Sequence, residues 1–257
     1  MTAIAARQIS VIKGGRTILR DLSLTAQSGE FVAVIGANGA GKSTLLEALA
    51  GLARPAQGTV LLNDRNISAY GRSELARLRA YLPQSPRCEW PIPVERLVAL
   101  GLTPTLPAFS GLSESDEARV AAALLECDLM GHRDQAATTL SGGELARAML
   151  ARALVANPDI LIVDEPLEGL DPKYALDATA RLRALAGRGK VIIAALHDLT
   201  LAARHATRLI ALHQGRIAAD GSPQDVLTPD LLRRIFRVDA SIAGAQGGAF
   251  VDYLAPL

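Results

Sequence analysis

The apolar residues of this chain fall into runs of different period. FVAVIG at 31–36, ILIVDEP at 160–166 and KVIIAALHD at 190–198 open on continuous apolar runs, as expected of strands buried on both faces of a parallel sheet. Within residues 1–30, IAARQISVI and RTILRDLSLTA flank Gly14–Gly15, and a second turn signal stands at Ser28–Gly29; this region reads as short strands and turns. GTVLLNDRNI at 58–67 reads as a strand pair around Asn63–Asp64, and ATRLIALHQGRIAADG at 206–221 as a hairpin turning at Gln214–Gly215. Helices are expected from Lys42 to about Leu49, over 113–130 with Ser113 as N-cap, over 144–156 (ELARAMLARALVA), and, as a short one, over 228–238.

Between the strand-rich ends the character changes. SPRCEWPIPVERLVALGL at 85–102 carries three prolines close behind Pro83, so the chain enters this region irregularly and then becomes helical. The expected fold is therefore α/β: a mostly parallel core sheet with an N-terminal antiparallel β subdomain and an inserted α-helical subdomain. The division reads as one domain over 1–257, with 1–85 and 157–240 as the core, 86–156 as the helical insertion, and 241–257 as a tail with a hairpin around Gln246–Gly248.

Composition narrows the function. At 257 residues with 49% hydrophobic and 21% charged positions, the chain suits a soluble globular protein. A net charge of +1 gives no general electrostatic grip on nucleic acid, so no nucleic-acid partner is expected. Cys88 and Cys127 have no metal-ligand spacing and suit a reducing compartment. No signal-peptide layout is present, and no apolar run reaches the roughly 18–20 residues that span a bilayer. A cytoplasmic location is expected, with any membrane part supplied by a partner. Among 27 Lys and Arg only four are Lys, and one of those lies in a Gly-rich loop.

That loop is GANGAGKST. Gly36, Gly41, Lys42 and Ser43 meet the G-x-x-x-x-G-K-[ST] pattern after a buried strand and at the start of a helix, where backbone N–H groups and the helix dipole favour an anion. The loop residues Gly36, Ala37, Asn38, Gly39, Ala40, Gly41, Lys42, Ser43 and Thr44 thus form a phosphate cradle, and the core reads as a P-loop NTPase of RecA-like type. Lys42 can reach the β- and γ-phosphates, and Ser43 can ligate Mg²⁺. Asp164 ends an apolar strand, a position suited to an Mg²⁺ site through water; Glu165 beside it can polarise an attacking water. His197 directly follows another such strand, where it could hydrogen-bond either a γ-phosphate or that water.

LSGGE at 140–144 opens a second helix. Ser141 and Glu144 form a capping box, while Gly142 and Gly143 leave bare N–H groups at a positive dipole end, which is a second phosphate site. Two clamps in one chain make sense if two copies pack head to tail, with each ATP between the P-loop of one and the LSGGE helix of the other.

GANGAGKST, LSGGE, ILIVDEP, GLDP and the His after VIIAAL, in this order, resemble the nucleotide-binding subunit of an ABC transporter over nearly the whole chain. The resemblance implies an ATP-hydrolysing translocase subunit that uses ATP and Mg²⁺ in a head-to-tail homodimer on the cytoplasmic face of the cell membrane. It further implies integral-membrane permease subunits and, indirectly, a substrate-binding protein as partners. It adds Gln84, in YLPQ, as the residue that senses Mg²⁺ and the γ-phosphate, the stretch at about 85–103 as the surface touching the membrane subunit, and Asp171 as an acid crossing the dimer interface. Three departures stand out: Lys13 occupies the place of the usual adenine-stacking aromatic, with Arg16 as a weak substitute; the signature ends in Glu144 where Gln is commoner; and Leu167 and Glu168 replace smaller residues. The stretches at 196–236 and 91–102 are similar to importers of ferric siderophores, haem and cobalamin. The alternative from another class is a stand-alone ABC ATPase of a soluble machine, such as iron–sulfur-cluster assembly.

Overall fold

The computed structural model describes residues 2–84, 88–107, 111–166, 171–245 and 248–256. Strands β1 (Ala3–Lys13) and β2 (Arg16–Gln27) form an antiparallel hairpin turning at Gly14–Gly15. At 11 and 12 residues they are long, not short, and three register shifts along β1 absorb the polar positions that break the alternation. Then come β3 (Phe31–Ile35), α1 (Lys42–Leu49), β4 (Gln57–Leu62) and β5 (Arg65–Asn66). Next are α2 (Arg72–Leu78), β6 (Arg79–Leu82), α3 (Val94–Ala99), α4 (Glu114–Glu126) and α5 (Gly142–Leu154). The second half runs β7 (Ile160–Asp164), α6 (Pro172–Gly187), β8 (Val191–Ala195), α7 (Leu199–His205), β9 (Arg208–His213) and β10 (Arg216–Gly221). It closes with α8 (Pro223–Val226), α9 (Pro229–Phe236), β11 (Val238–Ala245) and β12 (Gly248–Pro256).

The core sheet has the order β10-β9-β3-β8-β7-β6, parallel from β9 to β6 with β10 as an antiparallel edge. The N-terminal sheet, β2-β1-β4-β5, is antiparallel. Strand alternation assigns the two faces of the core sheet to two different cores. Phe31, Ala33, Ile35, Leu161 and Val163 pack with the helical residues of α3–α5, while Val32, Val34, Ile160 and Ile162 pack with α1 and the N-terminal sheet. Burial on both faces is why these strands read as unbroken apolar runs.

Five helices escaped the pattern analysis: α2, the short α3, α6, α7 and α8. Of the described helices α6 is the longest, at 16 residues, with Asp171 as N-cap and Pro172 in its first turn. That start signal was present in the sequence, in the same residues as the GLDP motif. The terminal hairpin is present as β11–β12, beginning at Val238; its expected turn at Gln246 lies partly outside the described residues. None of the described helices is long and apolar enough to cross a membrane.

Candidate active site

The parallel topology gathers the candidate residues. β6, β7, β8 and β3 are consecutive neighbours, and at their C-terminal ends stand Gln84, Asp164–Glu165, His197 and the Gly36–Thr44 loop respectively. A cleft of ≈ 450 Å³ opens there, lined among others by Asn38, Gly39, Lys42, Ser43, Gln84, Glu165 and His197.

Close packing fixes the loop. A Cβ on Gly36 would stand 2.5 Å from the Leu212 carbonyl oxygen. Gly41, left-handed at φ 106, would place one 2.8 Å from Leu19 Cδ2. Helix α1 then starts at Lys42. Lys42 is 5% exposed; its Nζ donates to the Gly36 carbonyl at 3.0 Å and pairs with Glu165 Oε1 at 3.4 Å.

Glu165 is the hub. Its side chain is 9% exposed, and it meets His197 Nε2 at 2.6 Å and accepts from Gln84 Nε2 at 2.9 Å, besides Lys42. Its backbone is left-handed, φ 50, which is uncommon for a non-glycine residue and turns the carboxylate back over the sheet edge. Asp164, 3% exposed, accepts from Ser43 Oγ at 3.2 Å and from the Tyr81 hydroxyl at 3.4 Å. Burial raises the Asp164 pKa above the ordinary carboxylate value, against the Ser43 hydrogen bond that lowers it. Burial, followed by the nearby Asp164 charge, likewise raises Tyr81.

These donors fit a small hard cation. Ser43 and Asp164 are in contact, Gln84 stands at the same strand ends, and a divalent ion that keeps waters and takes phosphate oxygens needs no more than one or two carboxylates. Consistently, no group of three or more His, Cys, Asp or Glu is placed to hold a metal among the described residues.

The LSGGE segment and Asp171 do not line this cleft. Ser141 caps α5: its Oγ accepts from the Glu144 amide at 3.4 Å, while its own amide donates to Glu144 Oε2 at 2.8 Å. Those bonds hold the Glu144 pKa below its ordinary value. The two glycines differ. Among the described residues a Cβ on Gly142 would meet nothing within 4 Å, whereas one on Gly143 would stand 2.8 Å from the Tyr174 ring. Gly142 therefore leaves an open helix end, and Gly143 permits packing inside its own chain. Asp171 caps α6, its Oδ1 accepting from the Tyr174 amide at 3.1 Å; the neighbouring Gly169 and Leu170 of GLDP, with Leu167 and Glu168, lie outside the described residues.

Sequence reasoning missed three residues. Ile18 lines the P-loop cleft from β2, Tyr81 bonds Asp164, and Tyr174 packs on Gly143. Tyr81 had a readable signal, a polar-tipped residue near the end of a strand beside the β7 acids. Lys13 makes a close ion pair with Glu47 on α1, and Arg16 is exposed.

A family model described as ABC transporter matches residues 19–168. The chain is 40% identical over 259 aligned residues to the "Hemin import ATP-binding protein HmuV" of Rhodopseudomonas palustris (strain HaA2), covering 97% of each. Among solved structures, one described as a metal-chelate type ABC transporter in an inward-facing conformation superposes with a TM-score of 0.85 at 23% identity, covering 100% of this chain and 98% of that one. A dimeric, post-hydrolysis ATP-binding cassette bound to ADP and Pi superposes with a TM-score of 0.75 at 25% identity, covering 86% of this chain and 98% of that one.

Proposed function

The chain belongs to the ABC transporter family and is an ATPase of that family; from this premise we propose that it powers the import of haem. The cargo rests on the relatives named for hemin import. Ferric siderophores and cobalamin, which the sequence resemblance leaves open, are not named by these relatives, and the soluble-machine alternative is not favoured. The observation that carries the catalytic reading is the convergence of Lys42, Gln84 and His197 on Glu165 at one sheet edge.

In this reading ATP lies along Gly36–Thr44, with its phosphates on the N–H groups that open α1. Ser43, Gln84 and Asp164 would hold Mg²⁺, which would supply positive charge against the phosphates. The γ-phosphate competes with Glu165 for Lys42, and the released carboxylate accepts a proton from the attacking water. The water oxygen bonds to the γ-phosphorus, the bond from that phosphorus to the bridging oxygen breaks, and ADP and phosphate result. His197, which holds Glu165 in this structure, steadies the γ-phosphate.

The second clamp comes from another copy. Ser141 and Gly142 present a capped helix end with open space in front of it, and that end is absent from the lining of its own chain's cleft. In a head-to-tail homodimer it faces the partner's ATP, with Asp171 close to the shared surface. ATP then favours the closed dimer through contacts that only the closed form makes, and hydrolysis removes them. Permease subunits read this motion from the membrane's cytoplasmic side, fed by a substrate-binding protein. Their seat is the groove of ≈ 420 Å³ between β6 and α5, lined by Leu52, Leu82, Leu100, Pro104 and Met149 and close to the stretch at 85–103, of which 85–87 lie outside the described residues.

The test is to purify the tagged chain from gently solubilised cells and reconstitute whatever accompanies it. The expected result is a polytopic membrane protein in equal amount and ATPase activity that rises with haem and its binding protein. Soluble assembly proteins without a membrane partner, or haem-independent activity that responds to another chelate, would overturn the proposal.

A further inference from the structure

Helix α5 carries the LSGGE donors, and α6 follows Asp171 in the core; one side chain joins their first turns. The Tyr174 ring lies flat against Gly143, where an added Cβ would meet Cδ2, Cγ and Cε2 at 2.8, 2.9 and 3.0 Å. One turn along α5, the Arg147 guanidinium stands over the same ring, 5.1 Å from its centre. Its buried Nε has no hydrogen-bond partner among the described residues. The Tyr174 amide, in turn, is held by the Asp171 carboxylate that caps α6. The ring thus meets Gly143 and two cations, Arg147 and Lys173, whose Nζ stands 5.9 Å from its centre, while a cap holds the backbone that carries it.

We propose that Tyr174 is a positioning residue for hydrolysis in the other copy: it locks the N-terminal turn of α5 to the N-terminal turn of α6, so that Ser141 and Gly142 are presented to the partner's γ-phosphate at one fixed angle. This rests on the head-to-tail reading above. Without the ring, α5 retains its capping box and the core packing of Ala148–Leu154, but its first turn loses the contact that ties it to α6. Donors that bind a transition state lose effect steeply with small displacements. The P-loop of the same chain is untouched, because Tyr174 does not line its cleft. The chemistry required at position 174 is a flat ring and not a hydroxyl.

The test uses the full chain. Glu165→Gln is the parent for ATP-driven dimerisation, followed by sedimentation, and the otherwise native chain is the parent for kinetics. Tyr174→Ala is expected to lower kcat about 10- to 100-fold and to weaken ATP-driven dimerisation by at least about tenfold, while the ATP affinity of the isolated copy stays within about twofold. Tyr174→Phe is expected to restore both, and Gly143→Ala, which displaces the ring from the other side, to repeat the loss. Tyr174→Ala dimerising and turning over like its parents would overturn the proposal, as would a parallel loss of ATP affinity, which would mean general damage. Failure of the Glu165→Gln parent to dimerise with ATP would overturn the head-to-tail reading and this proposal with it. Failure of the alanine variant alone to show a defect would remove only the role of Tyr174.

Discussion

Two adjacent glycines that look equivalent in LSGGE should respond oppositely to alanine. At Gly142 a new Cβ meets nothing within 4 Å among the described residues, and replacing a helical glycine lowers the chain entropy lost on folding. Gly142→Ala should therefore stabilise the isolated chain by a few tenths to about 1 kcal/mol. At Gly143 the Cβ would stand 2.8 Å from Tyr174 Cδ2, well inside the roughly 3.5–4.0 Å at which carbon atoms attract, with two more ring atoms at 2.9 and 3.0 Å. The ring is held by Arg147 and cannot swing away without giving up that contact. The overlap should cost about 1–3 kcal/mol. The two variants should then differ by about 2 kcal/mol or more in urea unfolding, with Tm separating by about 2–4 °C per kcal/mol. In a Tyr174→Ala background the penalty at Gly143 should shrink, giving a coupling of about 1 kcal/mol or more in a double-mutant cycle. Equal stability of the two alanine variants, or a zero coupling, would refute the contact.

Asp164 and His205 make stability depend on pH in opposite senses. Burial raises the Asp164 pKa, so between the ordinary aspartate value of 3.8 and its higher folded value the native state binds more protons than the unfolded chain, and stability falls as pH rises. Asp164→Asn should remove that loss and raise stability at pH 7 while abolishing ATP turnover, a trade-off read by melting curves from pH 4 to 8 beside an ATPase assay. For His205, burial first and then Arg204 and Arg183 lower the pKa from 6.5, so below that value the unfolded chain binds more protons and stability falls with acidity. His205→Phe should flatten this part of the curve below about pH 6.5; an unchanged slope would show that the half-buried imidazole is not its source.

Much of the fold was legible because the core strands are buried on both faces and therefore keep unbroken apolar runs. The positions of Asp164, Glu165 and His197 followed from those strands, since parallel order puts their C-terminal ends at one edge. Tertiary relations were not legible. Nothing local announces that Gln84, 81 residues before Glu165, bonds to it, nor that Lys13 turns to Glu47. The case of Gly143 is more instructive. Its absence of a side chain reads locally as an opening for phosphate, yet the space is filled by a ring from a helix that begins 29 residues later. Helix α6 itself escaped notice because its start, Asp171–Pro172, is also part of a motif with another reading.

The central claim is that the ATP site is completed by the LSGGE helix of a second copy. It is tested most directly by mixing two single-cysteine chains, one with Asn38→Cys in the P-loop and one with Gly142→Cys, both with Glu165→Gln and with Cys88 and Cys127 replaced. A short thiol–thiol cross-linker is applied with and without ATP. The expected product is a cross-linked dimer containing one copy of each chain, formed only with ATP. Absence of that product, or the linking of positions 38 and 142 within one chain when both substitutions are combined, would contradict it.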